Sequence, residues 1–399
     1  MTSGTRARTV DGPVPSANRA PAPDLARGLM LALIALAHAP AYLYGREIAV
    51  GGYPGDGGTL DRVVAFVLVD LVNGRAYPMF ASLFGYGVVQ LIARRTAAGT
   101  GPRAARRLVR RRGLWLIVFG FVHALLLWPG DILGAYGVVA VVLAGAFLRV
   151  RGLVLAALVT ASILLVSLGG AAGALPVEGA RSPLPSTGES DFWAALGLRL
   201  QDWLPTLVLQ PLGVAGAVLL GMWAARRRVL EEPDRHRRLL RATAATGLAV
   251  AVLGGLPMAA LTASAGPASE GRLLLAGGLH YASGYGGVGY AALIALITLR
   301  VRNEGPLTRA LRACGQRSLS CYLAQSVVFV AVLASYGGGL GARLGVAASA
   351  AVALATWAAT VAAADALRRR ERRGPAERLL RRLTYGPPKA CVRSPPRSG

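Results

Sequence analysis

The stretch GLVLAALVTASILLVSLGGAA, residues 152–172, decides the class of the fold. No charged side chain interrupts it, and it matches the roughly 20 residues that an α-helix needs to cross a hydrocarbon core. Working outward, comparable apolar segments lie at 25–44, 63–93, 113–128, 132–148, 205–225, 242–262, 276–299, 318–336 and 343–365. The whole chain of 399 residues is 54% hydrophobic and 16% charged, with mean hydropathy +0.49. A soluble domain carries about 25% charged residues. The sequence therefore reads as an all-α polytopic membrane protein with about ten transmembrane helices, each satisfying its own backbone in lipid.

The formal charge of +25 is concentrated between these segments. Eight arginines lie in Arg94–Arg112, seven in Arg226–Arg241 and five in Arg300–Arg317, and eleven basic residues follow Asp365. The alternate connections are nearly bare, holding Arg46, Arg62, Arg181, Arg199, Arg272 and Arg343. This asymmetry places the arginine-rich connections and both termini in the cytoplasm of a bacterial plasma membrane. It makes the bilayer, with anionic lipid at the basic loops, the expected partner. No soluble segment is long enough to fold a basic face for nucleic acid, so that partner is not expected.

Residues 1–23 read as a disordered cytoplasmic tail and 387–399 as a disordered basic tail. Between them lie an N-terminal membrane half, 24–172, an outer loop, 173–204, and a C-terminal membrane half, 205–386. The first apolar run lacks a small-residue cleavage site and reads as an uncleaved anchor. The segment 63–93 is interrupted by NGRAYP, residues 73–78, where Gly and Pro break helical continuity. Termini on one side require an even number of crossings. The expectation is that 76–93 spans while 63–72 lies along or dips into the outer face.

Ionisable residues within such runs are functional candidates by default. His123 lies 11 residues beyond Arg112, and His38 lies 11 residues beyond Arg27. At the helical rise both are roughly 16 Å deep. Two neutral imidazoles at one level suit general-base duty. Asp131 follows Trp128-Pro129-Gly130, a helix-ending turn, where a carboxylate caps the next helix and can also orient a histidine. His123, Asp131 and His38 are thus the candidate catalytic groups. Arg75, in the break, is placed to bind a carboxylate or phosphate or to anchor to headgroups, with Asp70 as its expected partner. His280 and Gln325 are further polar groups able to line a cavity. Two motifs are discounted. GYGGVG, residues 284–289, follows no strand and reads as close helix packing, as does SLFGYG at 82–87. Cys314, Cys321 and Cys391 are odd in number and lack metal-ligand spacing, so neither a disulfide framework nor a metal site is expected.

Several blocks together carry a family resemblance: DLARGLMLALIALAH (24–38), NGRAYPMFASLFGYG (73–87), GFVHALLLWPGDIL (120–133), GQRSLSCYLAQS (315–326) and GPAERLLRRLTYGP (374–387). In this order they resemble the YeiB-type bacterial membrane proteins, domain of unknown function 418, over nearly the whole chain. That family has been labelled as involved in transport and is grouped by similarity with transmembrane acyltransferases. The latter include the acyltransferase-three sugar modifiers, which carry an Arg, ten residues, then a His in the first helix; Arg27 and His38 reproduce that spacing. YeiB-type proteins tend to have Asn at the position of His38, and TNYL where this chain has Ser320-Cys321-Tyr322-Leu323. The resemblance implies transfer of an acyl group from cytoplasmic acyl-CoA to an outer-face acceptor, with Arg27 near the donor phosphates, His123 or His38 as base or transient acyl carrier, Asp131 orienting the imidazole, and no resident cofactor. The alternative is a transporter or exporter of a small solute or lipid-like compound, with His123, Asp131 and Arg75 as a relay.

Overall fold

The computed structural model of the chain describes residues 21–143, 150–264, 268–300 and 304–386. The expected tails, apart from residues 21–23, lie outside the described residues. Helix α1 (Pro21–His38) already begins at Pro21, inside the expected N-terminal tail. It is followed by α2 (Thr59–Leu71), α3 (Ala76–Ala97), α4 (Pro102–Leu126), α5 (Leu133–Leu143) and α6 (Gly152–Ala172). The second half holds a short turn of helix, α7 (Pro185–Gly188), then α8 (Phe192–Arg226), α9 (Arg237–Ala263), α10 (Glu270–Ser283) and α11 (Val288–Arg300). The chain continues through α12 (Pro306–Gln316), α13 (Ser318–Leu333), α14 (Val346–Arg369) and α15 (Pro375–Tyr385). No named strand occurs among the described residues.

Local sequence explains several boundaries. Pro102, Pro306 and Pro375 start α4, α12 and α15, each behind a glycine, where the missing N–H would be unpaired in any case. Asp191 caps α8, its Oδ1 accepting the Ala194 N–H at 2.7 Å. The outer loop is consequently shorter than its sequence suggested, because 192–204 is helical and continues through Pro205 and Pro211. The arginine run 103–112 is likewise the first half of α4 rather than a loop.

Among the described residues, seven helical stretches are long and apolar enough to cross a membrane. The pair α12 and α13, bent by 86°, makes an eighth if it counts as one span. The apolar parts of α4 and α5 are the remaining segments expected from sequence. The belt of these helices faces outward: Leu153 is 88% exposed and Leu168 70%. Apolar surface of this extent belongs in lipid rather than water, and the chain is a polytopic helical membrane protein.

One expectation is corrected. The break before α3 is buried in the bundle, and α2 packs along α9 and α14, so of the two expected placements of 63–72, lying along the face does not fit and dipping into the bundle does. Helices α2 and α3 together form one 39-residue candidate span, Thr59–Ala97. The turn between them places Gly74 at φ 76°, a conformation suited to glycine. A second broken helix, α10 with α11, meets it there. Side chains on Gly284 and Gly287 would collide with the carbonyls of Gly74 and Arg75. The GYGGVG stretch is thus a close backbone crossing.

Candidate functional site

Helix α4 ends as the chain approaches Pro129-Gly130, and the N–H groups of Leu127 and Trp128 both return to the His123 carbonyl, each at 2.9 Å. The turn brings Asp131 back against the helix it has just left. Gly120, one turn before His123, leaves room for it; a Cβ there would collide with Asp131 Oδ2 and the Gly134 N–H. Asp131 Oδ2 accepts the Gly134 N–H at 2.8 Å, so the carboxylate caps α5. Its other oxygen, Oδ1, lies 2.8 Å from His123 Nδ1. A carboxylate at that nitrogen fixes the proton on Nδ1 and leaves Nε2 as an acceptor.

Nε2 faces Ser326 Oγ on α13 at 2.9 Å. All three side chains are buried. The order hydroxyl, imidazole, carboxylate is the geometry in which an imidazole takes a hydroxyl proton while a carboxylate orients it. Sequence reasoning found the histidine and the aspartate but not Ser326. The available signal was its place at the end of GQRSLSCYLAQS, four residues and one helical turn beyond Tyr322; nothing in the sequence gave the rotation of α13 relative to α4.

The two histidines do come together. His38 closes α1 and stacks on Trp128 with ring centroids 4.3 Å apart. The Tyr322 ring lies 4.8 Å from His123 and 6.1 Å from His38. The packing continues beside Trp128: Tyr42, in the turn that follows α1, stacks on it, with Phe329 and Leu333 in the same cluster. Arg199, 1% exposed, donates to the Leu125 and Leu126 carbonyls at 3.1 and 3.2 Å. It thereby satisfies the open carbonyl end of α4.

On the opposite side of the cluster lies a cavity of about 530 Å³. Arg27, Arg94, Arg112 and Arg228 line it, with Asp24, Glu231 and Glu377 as the acidic side chains. Those acids are engaged: Glu231 accepts from Tyr86 and Gln90, both at 2.6 Å, and Glu377 from the Leu319 N–H at 2.9 Å. Arg27 donates to Asp24 at 3.3 Å and to the Leu83 carbonyl at 3.0 Å. Deeper, the lining turns apolar and aromatic, with Ile34, Ile132, Tyr136 and Tyr322. The last lining residues Ile34 and Tyr322 each stand four residues, one helical turn, before His38 and Ser326.

The other expected site residues gather elsewhere. Arg75 is 0% exposed. It donates to the carbonyls of Asn73 at 2.7 Å and Ala251 at 2.6 Å, and to His280 Nδ1 at 2.9 Å. A guanidinium only donates, so His280 accepts through Nδ1 and is neutral. Headgroup anchoring is ruled out by this burial. Asp70 is nearby, but its buried Oδ1 has no hydrogen-bond partner. Gln325 faces α14 and lies 3.5 Å from Thr360 Oγ1. Arg75, His280 and Gln325 are not among the residues lining the cavity. Cys314 and Cys321 are buried free thiols, and no group of three or more His, Cys, Asp or Glu side chains able to hold a metal occurs among the described residues.

Fold and site together define a polytopic helical membrane protein with a buried Ser–His–Asp series beside an arginine-lined cavity. Residues 224–387 match the family described as protein of unknown function DUF418, a region that includes Ser326, Tyr322 and His280. Over 348 residues, 82% of this chain and 83% of the relative, the sequence is 26% identical to the uncharacterized protein YxaH of Bacillus subtilis. A 64-residue stretch, 16% of this chain and 14% of the relative, is 41% identical to the uncharacterized protein YeiB of Escherichia coli. Residues 224–387 thus carry the DUF418 match, and the chain as a whole is similar to YxaH.

Proposed function

We propose that this protein is an acyltransferase of the bacterial plasma membrane that moves an acyl group from a cytoplasmic coenzyme A thioester to a hydroxyl or amine at the outer face. The observation that carries the reading is the cavity: it is lined by four arginines and ends one helical turn from His38 and Ser326, the latter 2.9 Å from His123 Nε2. Its arginine-rich side is the cytoplasmic side by the charge asymmetry of the loops. Arg27 and its neighbours suit the phosphates of the donor, and the apolar inner end suits the pantetheine arm and acyl group. His123 acts as the general base, Asp131 holds its tautomer and stabilises the imidazolium that forms, and His38 with Trp128 forms the wall behind them. No resident cofactor is needed, acyl-CoA being a co-substrate. Anionic lipid neutralises the arginines outside the cavity.

The test is incubation of membranes holding the wild-type protein or His123→Ala with radiolabelled acetyl-CoA, followed by separation of protein, lipid and glycan fractions. Label that depends on the wild-type protein and disappears in the variant supports transfer. Absence of label with either acetyl- or butyryl-CoA, in folded protein, contradicts it.

One observation favours transport as the second reading. Two broken helices cross inside the bundle with a buried arginine at their breaks, an arrangement carriers use for substrate sites. Flux of a solute into proteoliposomes, lost in Arg75→Lys and unaccompanied by any covalent product, would favour it.

A further inference from the structure

We infer that Ser326 carries the acyl group as a covalent ester between the two half-reactions. This rests on the acyl-transfer reading above and names the residue that reading leaves open.

Three observations lead to it. Ser326 Oγ stands 2.9 Å from His123 Nε2, the nitrogen opposite Asp131, so nucleophile, base and orienting carboxylate lie in series. Ser326 is one helical turn past Tyr322, the residue of α13 that lines the inner end of the cavity. Finally, Tyr42, Trp128, Phe329 and Leu333 pack together beside the cluster, and none of them lines the cavity. A donor in the cavity and an acceptor beyond that packing meet in sequence rather than together. A group that holds the acyl in between satisfies this.

Of the other nucleophiles of α13, Ser318 lines the cavity two helical turns before Ser326, whereas Cys321 and Ser320 are turned to other partners. Cys321 Sγ lies against the carbonyls of Cys314 at 4.0 Å and Thr360 at 3.8 Å. Ser320 Oγ is held by Glu377. The Tyr322 ring lies 4.8 Å from that of His123, and its buried hydroxyl has no hydrogen-bond partner. That hydroxyl is available to the oxyanion of a tetrahedral intermediate.

In the first half-reaction Ser326 Oγ attacks the thioester carbonyl while its proton passes to His123 Nε2. The C–S bond breaks, the thiolate takes that proton from the imidazolium, and coenzyme A leaves as the thiol. In the second, an acceptor hydroxyl or amine attacks the acyl-serine, its proton passing to Nε2 and then to the departing Ser326 Oγ. Asp131 remains a carboxylate throughout.

The experiment uses the full chain in lipid nanodiscs, treated with acetyl-CoA or butyryl-CoA, quenched, and analysed by intact mass and peptide mapping. The expected result is one acyl adduct on the peptide containing Ser326, reduced to background in Ser326→Ala and His123→Ala but kept in Cys321→Ser. Ser326→Ala, nearly isosteric, keeps the wild-type melting temperature while transfer to membrane acceptors falls on the order of 100-fold or more. Transfer that proceeds with no adduct on Ser326, with the adduct on another residue, or undiminished in Ser326→Ala overturns the inference and leaves acyl transfer standing. Neither adduct nor transfer from folded wild-type protein with either donor overturns the acyl-transfer reading and this inference with it.

Discussion

Two buried polar clusters occupy this bundle, and they differ in what surrounds them. At His123, Asp131 and Ser326 each polar atom hands a hydrogen bond to the next, and a cavity ends one helical turn away. At Arg75 the guanidinium is spent on carbonyls and a neutral imidazole where two broken helices cross. A chain of donors and acceptors that can each change role is suited to moving a proton. A permanent cation tied to backbone oxygens is suited to holding breaks together, since orphan carbonyls in lipid are costly. Histidine and arginine buried at similar expense thus point to different work, and the neighbours decide which.

The sharpest way to break this contrast is His123→Ala. Its expected effect is a loss of acyl transfer on the order of 100- to 10,000-fold with little change in the melting temperature in detergent, read by labelled-product assay beside thermal unfolding. Asp131→Asn comes next. The amide still accepts the Gly134 N–H, so α5 remains capped. Orientation of the imidazole is weakened, and transfer should fall about 100-fold, with the melting temperature again the control.

The Arg75 cluster is expected to respond in the opposite sense. Arg75→Ala leaves the Asn73 and Ala251 carbonyls without their donor and should cost about 3 kcal/mol of stability. Activity per folded molecule should be largely kept. Equal loss of specific activity in Arg75→Ala and His123→Ala would erase the distinction. Gly287→Val, which collides with the Arg75 carbonyl, should lower stability by about 1–3 kcal/mol through the same crossing. The smallest effect is expected at the cavity's edge. Arg27→Gln should raise the donor KM about tenfold, roughly 1.4 kcal/mol, with kcat unchanged and the difference shrinking at high salt.

Much of the fold was legible because its signal is one-dimensional. The apolar runs had to be helices, and the arginine-rich connections gather around one cavity, as their alternation implied. Counting from Arg27 and Arg112 put His38 and His123 at one level, and both rings lie near Tyr322. Helix rotation was not legible, because small-residue helices such as α13 show no strong apolar stripe when lipid and protein are equally oily. Ser326 therefore stayed hidden among ordinary membrane serines. The break at 72–75 misled for another reason. Gly and Pro mark where a helix stops, but they do not say whether the stop lies at the surface or inside the bundle, where Tyr290 of α11 donates to the Leu71 carbonyl and Arg75 is held by His280 of α10 and the Ala251 carbonyl of α9.

The central claim is that His123 performs chemistry on an acyl group arriving from the arginine-lined cavity. It is tested most directly by reconstituting wild-type and His123→Ala protein with labelled acetyl-CoA on the arginine-rich side and following label into membrane acceptors. The expected result is transfer by the wild type and background in the variant, with both proteins equally folded. Equal transfer by the two proteins, or none by the folded wild type with acetyl- or butyryl-CoA, would contradict the account.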